Sequence, residues 1–559
     1  MRGRTLLAAL SAAGLLLLCG GSVIPAAFAQ DDPAADADDP NAGGPDPAAG
    51  TPETSAEPAA APSEDAAQPS AETQAATPAD TSTPSPDATP IVASIRAKLQ
   101  DPTLAKGANA QDLAALAAFY AARSDPIWMT DMGFSSEAQA VIDEVLRADD
   151  WGLSASAFEL PPAGDLPDSV DDQAMNEIKL DLAILEYARH ARGGRTDPDK
   201  LKNVDMKPTF RDPKLVIAEI AVAPQPSVYL QGVHPKHEQF ERLHQALLKA
   251  RAESEAGAKP RNMQKIIVNM ERWRWMPEDL GALYVQINIP EFRVYIVKNG
   301  KTIHTEKVVV GKPIYATPIF SADLKSIVFN PEWTVPSTII REDLLPRLRG
   351  GGGMFSSNTS ILKQHKLNVN YNGKRVDPSS INWNRVNMAA ISFTQAPGPD
   401  NVLGKVKFLY PNRHSVYMHD TIKRDLLTRE VRAEGHHCPR VANPGKVAAI
   451  ILAEDKGMPQ SEIDKLLADG YNSAVAVNHR VPVHTTYFTA SVDAEGKVQS
   501  FADVYALDAG VAAAILGKAA KPEAVADNAA TAATPKPKPQ KARAADSTPP
   551  GPGFAGARP

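Results

Sequence analysis

The spacing of hydrophobic residues along this chain changes near residue 264. Before that point apolar residues recur every three or four positions, as on one face of an α-helix, and after it many alternate with polar residues, as in a half-buried β-strand. The helical spacing covers residues 91–255, and the β-type region extends over residues 264–515. The pattern predicts an α+β multidomain fold, in which an α-helical N-terminal scaffold domain precedes a mostly β domain.

The most regular helical segment ends at a pair of glycines, Gly193 and Gly194, which favour helix termination. Its apolar face is formed by Ile178, Leu182, Leu185 and Ala188. Shorter stripes are formed by Leu113, Leu116 and Tyr120, by Val141, Val145 and Leu146, and by Phe240, Leu243 and Leu247. Apolar side chains at this spacing pack against neighbouring elements, so we interpret the stripes as core and not as a ligand site.

Strand-like alternation is clearest at four apolar residues, which are Leu283, Val285, Ile287 and Ile289. A second predicted strand runs over Phe292–Val297 and is followed by Asn299 and Gly300. This dipeptide is typical of a two-residue type I′ turn, so Ile303–Val310 is expected to return as the partner strand of a hairpin.

The later part of the β-type region alternates between the two kinds of spacing. Residues 445–456 and 460–469 return to the helical period, whereas Val481–Val492 and Val498–Tyr505 predict closing strands. Gly350–Gly353 is a run of four glycines, which predicts either a plain linker or the hinge of a flap.

Composition separates two segments from these domains. The chain has 559 residues, which favours more than one domain, and most of its 48 prolines fall in two tails. Residues 30–90 are rich in Ala, Pro and Asp, residues 519–559 in Lys, Pro and Ala, and neither segment has enough apolar side chains to form a core. The net charge of −7 gives no indication of nucleic-acid binding, and no membrane-spanning segment is predicted beyond the first thirty residues.

The first 29 residues have the pattern of a secretory signal peptide. Arg2 and Arg4 precede the apolar stretch Leu6–Leu18, and Ala27–Ala29 supplies small residues for cleavage. A retained signal anchor is the alternative, and a lipoprotein would use Cys19. Removal of residues 1–29 leaves Cys438 as the single cysteine, either a buried bystander or a working thiol.

The residues around Cys438 have the types that activate a thiol. Cys438 lies in Gly435–Val441, and His419 ends a short apolar strand 19 residues upstream. A thiol is a nucleophile as the thiolate, which a neighbouring imidazole and a cation both favour. Arg440 supplies such a cation, or else a bidentate grip on a substrate carboxylate.

Two other interpretations of these residues remain open. A lone cysteine is often a small core residue, and a single histidine or arginine is often structural or solvated. A zinc site is also conceivable, because His419, His436, His437 and Cys438 are all ligand types. However, three adjacent side chains alternate in direction and rarely meet at one ion, so a thiol site fits the spacing better.

At these residues the chain resembles the L,D-transpeptidase family, whose catalytic unit is the YkuD domain, and most of all its large periplasmic YcbB-like branch. In the family a histidine after a strand is followed, beyond a loop, by Ser/Thr-His-Gly-Cys-x-Arg. The matching positions here are His419, His436, Cys438 and Arg440. The likeness covers residues 100–510 and includes Asn269–Leu280, Val310–Pro313, Phe329–Pro331, Trp333–Pro336 and Pro397–Pro399.

The chain departs from the family motif at three positions. Gly435 replaces the initial Ser or Thr, His437 replaces the glycine before the cysteine, and Pro439 replaces Val or Ile. That glycine gives the backbone room near the oxyanion donors, so we expect His437 to narrow the site or to change its acceptor. No peptidoglycan-binding repeat is recognised between the two halves, where residues 252–262 form a short connection.

The resemblance implies a periplasmic enzyme of the Gram-negative envelope that needs no cofactor and no metal. Cys438 would be the nucleophile and His419 its base, acting on peptidoglycan stem peptides. Support for the substrate or the oxyanion would come from Arg440, His436, His437 and Tyr417. Carbapenems, which resemble the acyl donor, are expected to acylate Cys438.

The acyl acceptor is left open by the resemblance. A second diaminopimelate would give 3→3 cross-links, an amine of an envelope protein would give a protein attached to the wall, and water would give an L,D-carboxypeptidase. The alternative from another class is a catalytically degenerate wall-binding or scaffold protein, for which His437 in place of glycine is the support.

Overall fold

A computed structural model describes residues 88–162, 167–259, 262–349 and 359–517. All of these residues fall within a single compact unit. The expected signal peptide, nearly all of the 30–90 linker, the glycine run at 350–353 and the 519–559 tail lie outside the described residues. In the part of the chain that is described, no helix is both long and apolar enough to cross a membrane.

The first half is helical, as predicted, with three very short strands. Its elements are α1 (Pro90–Leu99), α2 (Ala110–Ala121), β1 (Met129–Thr130), β2 (Gly133–Phe134), α3 (Ser136–Leu146), α4 (Val170–Gly193), β3 (Val204–Asp205), α5 (Pro213–Ile220), α6 (Pro226–Val233) and α7 (Glu238–Glu255). Helix α4 ends at the predicted glycine pair, and Gly194 follows it with φ +92°. Most of the predicted stripes are buried, but Leu146 is exposed because it lies about 100° around the helix from Val145.

The second half begins with helix α8 (Met263–Arg274) and continues with short strands. The strands and helices that follow it are β4 (Leu283–Asn288), β5 (Arg293–Lys298), β6 (Lys301–Gly311), β7 (Ile319–Asp323), β8 (Ser326–Phe329), β9 (Trp333–Thr334), α9 (Ser337–Ile339), α10 (Leu345–Arg349), α11 (Ser360–Gln364), β10 (Asn368–Tyr371), β11 (Lys374–Val376), β12 (Ile391–Gln395), β13 (Val406–Leu409), β14 (Met418–His419), β15 (Ala433–Gly435), β16 (Arg440–Val441), α12 (Pro444–Lys456), α13 (Gln460–Asp469), β17 (Ser473–Ala476), β18 (Pro482–Thr486), β19 (Ala490–Val492), β20 (Val498–Ser500) and α14 (Asp508–Leu516).

One large mixed sheet organises this half. Its strand order is β17-β8-β13-β14-β16-β6-β5-β4-β18-β7-β3, and β15 adds to β6 beside β16. The predicted hairpin is present between β5 and β6, where Asn299 and Gly300 have φ +47° and +74°, the sign that a type I′ turn requires. Strand β6 is the longest and carries both β15 and β16, so it is the base on which the nucleophile segment is held.

The closing strands are shorter than the sequence predicts. The expected strand Val481–Val492 is interrupted between β18 and β19, and Val498–Tyr505 is a strand only as far as Ser500. At the interruption, backbone N–H groups donate to side-chain amides instead of to a neighbouring strand. The backbone N–H of Phe488 donates to Asn288 Oδ1, and that of Thr489 donates to Asn269 Oδ1, both at 2.8 Å. The alternation of apolar and polar residues does not reveal that the hydrogen bonds go to side chains.

A second, smaller sheet forms a unit that the sequence did not predict. Its order is β11-β10-β12-β9, and with α9 to α11 it encloses a separate core. That core includes Val335, Leu348, Trp383 and Phe393. The unit is inserted between β8 and β13, two neighbouring strands of the large sheet, so it is anchored beside the strands that carry the candidate residues.

Helix α8 joins the two halves. Glu271 and Arg274 are fully buried, and Glu271 accepts from the backbone N–H of Arg195 at 2.6 Å. Arg274 donates to the backbone oxygens of Trp151 and Ala191. The Asn269–Leu280 segment, part of the family likeness, therefore has a structural role: it carries the polar side chains that tie the helical half to the sheet.

Candidate active site

Three neighbouring strands bring together the residues that the sequence singled out. In the ladders of β13, β14 and β16, Lys407 lies opposite His419, and His419 lies opposite Arg440. Residues directly opposite one another on adjacent strands project to the same face of a sheet. Lys407, His419 and Arg440 therefore form a row, with the imidazole between two cations.

Cys438 lies immediately beside this row. Cys438 lies two residues before Arg440, and Tyr417 lies two residues before His419. The backbone N–H of Tyr417 donates toward the Cys438 sulfur. With strands about 4.8 Å apart and a rise of about 3.3 Å per residue, the Cα atoms of Cys438 and His419 lie within roughly 8 Å of each other. The cysteine side chain is half-buried and packs against the main core.

His419 is held as a neutral imidazole. Burial, together with the charges of Arg440 and then Lys407, lowers its pKa to about 3. The backbone carbonyls of Asp420 and Leu403 oppose this shift, although Nδ1 has no hydrogen-bond partner of good geometry among the described residues. Burial first, and then the two cations, therefore oppose protonation of the ring.

Cys438 is a thiol in this resting arrangement. Burial raises its pKa above the ordinary value of 9.0, and the Tyr417 backbone N–H, Lys407 and Arg440 only partly counter that effect. Burial, and to a lesser extent the proximity of Cys438, raise the pKa of Tyr410, a fully buried phenol. The pair is therefore neutral thiol and neutral imidazole, which requires proton transfer during attack.

The segment that carries His436 and His437 is fixed by backbone contacts to β6 and the loop after it. Thr317 is fully buried, and its Oγ1 donates to the His437 carbonyl at 2.7 Å while accepting from the Gly311 N–H at 2.9 Å. The Lys312 N–H donates to the Gly435 carbonyl at 2.9 Å. Thr317 is thus a positioning residue for the nucleophile segment.

Gly311 leaves room for these contacts. A Cβ there would lie 1.9 Å from the Tyr315 carbonyl oxygen and 3.0 Å from the His436 carbonyl oxygen. A Cβ atom added at Gly435 would lie 3.1 Å from the Val310 carbonyl oxygen, so the pairing of β15 with β6 leaves little room for a side chain here. The absence of the family's Ser or Thr at Gly435 therefore fits the close approach of β15 to β6.

His436 and His437 are arranged around Tyr315. The His436 ring stacks on Tyr315 at 4.3 Å between centroids, and the exposed His437 ring meets it edge-on at 6.0 Å. Burial lowers the pKa of both histidines. His437 has no positive φ, so its backbone does not need the glycine that the family carries.

Arg440 opens onto a cleft of about 510 Å³. The lining residues are Lys312, Lys423, Asp425, Leu426, Arg429, Glu434, His436 and Arg440. The two acidic side chains that line this cleft form ion pairs with Arg429, at 3.0 Å for Glu434 and 3.5 Å for Asp425. The remaining cations give the cleft a positive potential, which suits an anionic group on a ligand.

Sequence reasoning missed several residues of this site. Lys407 is nearly fully buried, with its Nζ 4.3 Å from the centre of the Tyr417 ring, although lysine is seldom buried. It lies in the short strand β13, but nothing in the sequence distinguishes a buried lysine from an exposed one. Thr317 gave no signal, because its role depends on contacts with residues 120 positions away.

Among the described residues, no group of three or more His, Cys, Asp or Glu side chains is arranged to hold an ion. His436 and His437 instead surround Tyr315, and His419 lies with two cations that would repel a metal ion.

Comparison with known protein families gives two matches. Residues 114–247 match a family model described as a Scaffold domain, and residues 282–456 match YkuD, described as an L,D-transpeptidase catalytic domain. The second match contains His419, Cys438 and Arg440. Its start lies close to β4, and its end coincides with the end of helix α12.

A curated relative supports the same assignment. A putative L,D-transpeptidase of Haemophilus influenzae (strain ATCC 51907 / DSM 11121 / KW20 / Rd) is 30% identical over 246 residues, which are 44% of this chain and 48% of that protein. The chain thus spans about half the length of this relative. A solved structure titled "Structure of the Ldtfm-avibactam carbamoyl enzyme" is 12% identical, covers 37% of this chain and 49% of its own, and has a TM-score of 0.17, too low to carry weight.

Proposed function

We propose that residues 282–456, which match the YkuD model of an L,D-transpeptidase catalytic domain, use Cys438 to take an acyl group from a peptidoglycan stem peptide and pass it to an amine. The observation that carries the proposal is the packing of the thiol beside a strand pair that places His419 next to Arg440. The Scaffold match over residues 114–247 accompanies this domain.

The first half-reaction is acylation of the cysteine. The Cys438 sulfur attacks the carbonyl between meso-diaminopimelate and the terminal D-alanine of a tetrapeptide, while its proton passes to His419. The imidazolium then gives the proton to the leaving D-alanine amine. A neutral pair suits this order, because the proton moves only when a carbonyl is in place to receive the sulfur.

Backbone donors for the oxyanion are available beside the thiol. The N–H groups of His437 and Cys438 make no hydrogen bond within the described part of the chain. The Thr317 contact holds the His437 carbonyl and so fixes the peptide plane that bears the Cys438 N–H. Removal of one oxyanion donor typically costs about 10²–10³ in rate.

The second half-reaction transfers the acyl group. A diaminopimelate side-chain amine gives a 3→3 cross-link, an amine of an envelope protein gives attachment to the wall, and water gives carboxypeptidase activity. The exposed ring of His437 meets Tyr315 edge-on, and we propose that it influences this choice. We place the reaction in the periplasm, after export by residues 1–29.

Intact-mass analysis after incubation with a carbapenem tests the acylation step. The exported protein should gain one adduct, located on the peptide that contains Cys438. Cys438→Ala should gain none, and His419→Gln should react at least about 10²-fold more slowly, as expected when a general base is removed. Replacement of the exposed His365 by Gln provides a matched control that should react like the parent protein.

Tetrapeptide-bearing muropeptides then identify the acceptor. Cross-linked dimers, protein-linked muropeptides and tripeptides report amine, protein and water respectively. A folded protein that forms no adduct, with the Cys438 thiol free, would contradict the proposal and favour a wall-binding scaffold.

A further inference from the structure

The base of this site lies between two positively charged side chains. Lys407 and Arg440 face His419 from the strands on either side. Asp420 follows His419 directly and so projects to the other face of the strand, where it accepts from the Lys405 N–H and pairs with Arg424 at 2.6 Å. It does not compensate the two cations.

Arg440 has the environment of a ligand-binding arginine. It forms no ion pair within the described residues, and Cys438 is the acidic group that interacts with it. Its guanidinium borders the positive cleft, in which Asp425 and Glu434 are already paired with Arg429. A guanidinium presents a planar fork that matches a carboxylate.

We propose that a free carboxylate of the acyl donor binds Arg440 in this cleft and thereby switches on His419 as the base for Cys438. This inference rests on the function proposed above and adds a condition for it. An opposite charge within about 4–6 Å of an ionisable group favours its charged form. A carboxylate on Arg440 would offset the positive charge of that residue, which adds to the effect of burial in keeping the imidazole from accepting a proton.

The proton balance shows why the carboxylate matters. When the sulfur forms its bond to the carbonyl carbon, the thiol proton moves to the imidazole, which then carries a positive charge between Lys407 and Arg440. Bound carboxylate neutralises part of that charge until the C–N bond breaks and the leaving amine takes the proton. With a donor that lacks the carboxylate, the imidazolium of His419 would form beside Lys407 and Arg440 without this added negative charge. The site should therefore select donors with a free carboxylate near the scissile bond.

Two alkylating reagents separate this idea from ordinary thiol chemistry. Iodoacetate and iodoacetamide both form a carbon–sulfur bond with release of iodide, but only iodoacetate carries a carboxylate. Negative charge normally slows attack by a thiolate, so a plain thiol prefers iodoacetamide. We expect Cys438 to reverse this order at pH 7, as measured by mass spectrometry of the peptide that contains it.

Variants assign the preference to Arg440. Arg440→Gln should lower the ratio of the iodoacetate rate to the iodoacetamide rate by about tenfold, the effect of one charge-assisted hydrogen bond. Arg440→Lys keeps the charge and should retain most of the preference. Arg480→Gln removes the same charge from an exposed pair with Asp323, on another strand of the sheet, and should leave the ratio unchanged.

An unreactive carboxylate distinguishes activation from simple attraction of the reagent. N-acetyl-D-alanine should accelerate alkylation by iodoacetamide in a saturable manner, and this acceleration should be absent in Arg440→Gln and in His419→Gln. If iodoacetamide remains the faster reagent, or if N-acetyl-D-alanine only slows it, the proposal is wrong. Because neither assay requires transfer to an acceptor, adduct formation with a carbapenem can succeed while this condition fails.

Discussion

His419 is buried between cations, which makes the folded protein sensitive to acid at this residue. Its pKa is lowered to about 3 in the fold, below the ordinary value of 6.5. Between those values the unfolded chain binds a proton that the folded chain does not, so acid favours unfolding there. Above pH 6.5 the ring is neutral in both states and has no such effect.

The His419→Gln variant should therefore unfold with a weaker dependence on pH. Below about pH 6, the free energy of unfolding of the parent should fall relative to the variant by up to about 1.4 kcal/mol per pH unit. Urea unfolding at pH 7.5, 6.0 and 5.0 measures this difference, with His365→Gln as the exposed-histidine control. Parallel curves for parent and His419→Gln would show that the ring is protonated in the fold.

At the residue scale, sequence reasoning found the side chains whose chemistry is visible in their neighbours. His419 and Arg440 lie on adjacent strands, and Cys438 lies in the loop just before Arg440. Lys407 was missed because nothing in the sequence says which lysine is buried, and the direction of His437 could not be judged without the Tyr315 ring. The effect of His437 on catalysis stays a prediction.

Strand β6 is the element on which the site depends most. Through its last residues it holds β15 and β16 on the two sides of the Cys438 loop. At Gly311 three backbone atoms crowd the space that a side chain would occupy, from Tyr315, Thr317 and His436. Backbone yields less readily than side chains, so this glycine controls the spacing between the strand and the loop.

Gly311→Ala should displace the nucleophile segment more than it destabilises the domain. We expect the rate of carbapenem adduct formation at Cys438 to fall at least about tenfold, together with a loss of roughly 1–3 kcal/mol in stability from overpacking. Gly232→Ala in α6 is the control, because its Cβ meets nothing within 4 Å. Parental rates in Gly311→Ala would mean that the loop relaxes without moving Cys438.

Elements with strong local signals were predictable, and those made by distant pairing were not. The β5–β6 hairpin follows from Asn299-Gly300, and α4 ends at its glycine pair. By contrast, β14 and β16 have two residues each, too few for a period to be recognised. The small inserted sheet was missed for the same reason, since its strands gain their identity from pairing across the insert.

At the scale of the whole molecule, the helical half reaches the site through one short strand. Strand β3 pairs in parallel with β7, and Asn203, just before it, donates through Nδ2 to the Thr317 carbonyl at 2.8 Å. Thr317 in turn holds the His437 carbonyl. Two hydrogen bonds therefore connect the helical half to the residue before the candidate nucleophile.

Asn203→Gly tests whether this connection matters. Asn203 has φ +64°, which glycine adopts without strain, so the change removes the amide and spares the backbone. Carbapenem adduct formation should slow several-fold, with a loss of about 1 kcal/mol in stability for one hydrogen bond. Asn299→Gly, at another left-handed position, should leave the rate unchanged. Equal rates in both variants would show that Thr317 is held without the helical half.

The pairing of β3 with β7 also bears on how the protein can be divided. Without residues 88–262, β7 would become an outer strand with unpaired N–H and C=O groups beside the apolar side chains of Ile319 and Phe320. Uncovered strands of this kind recruit other chains and promote aggregation. A separately expressed catalytic half should therefore self-associate. In the intact chain, β3 of the helical half covers this edge of the sheet.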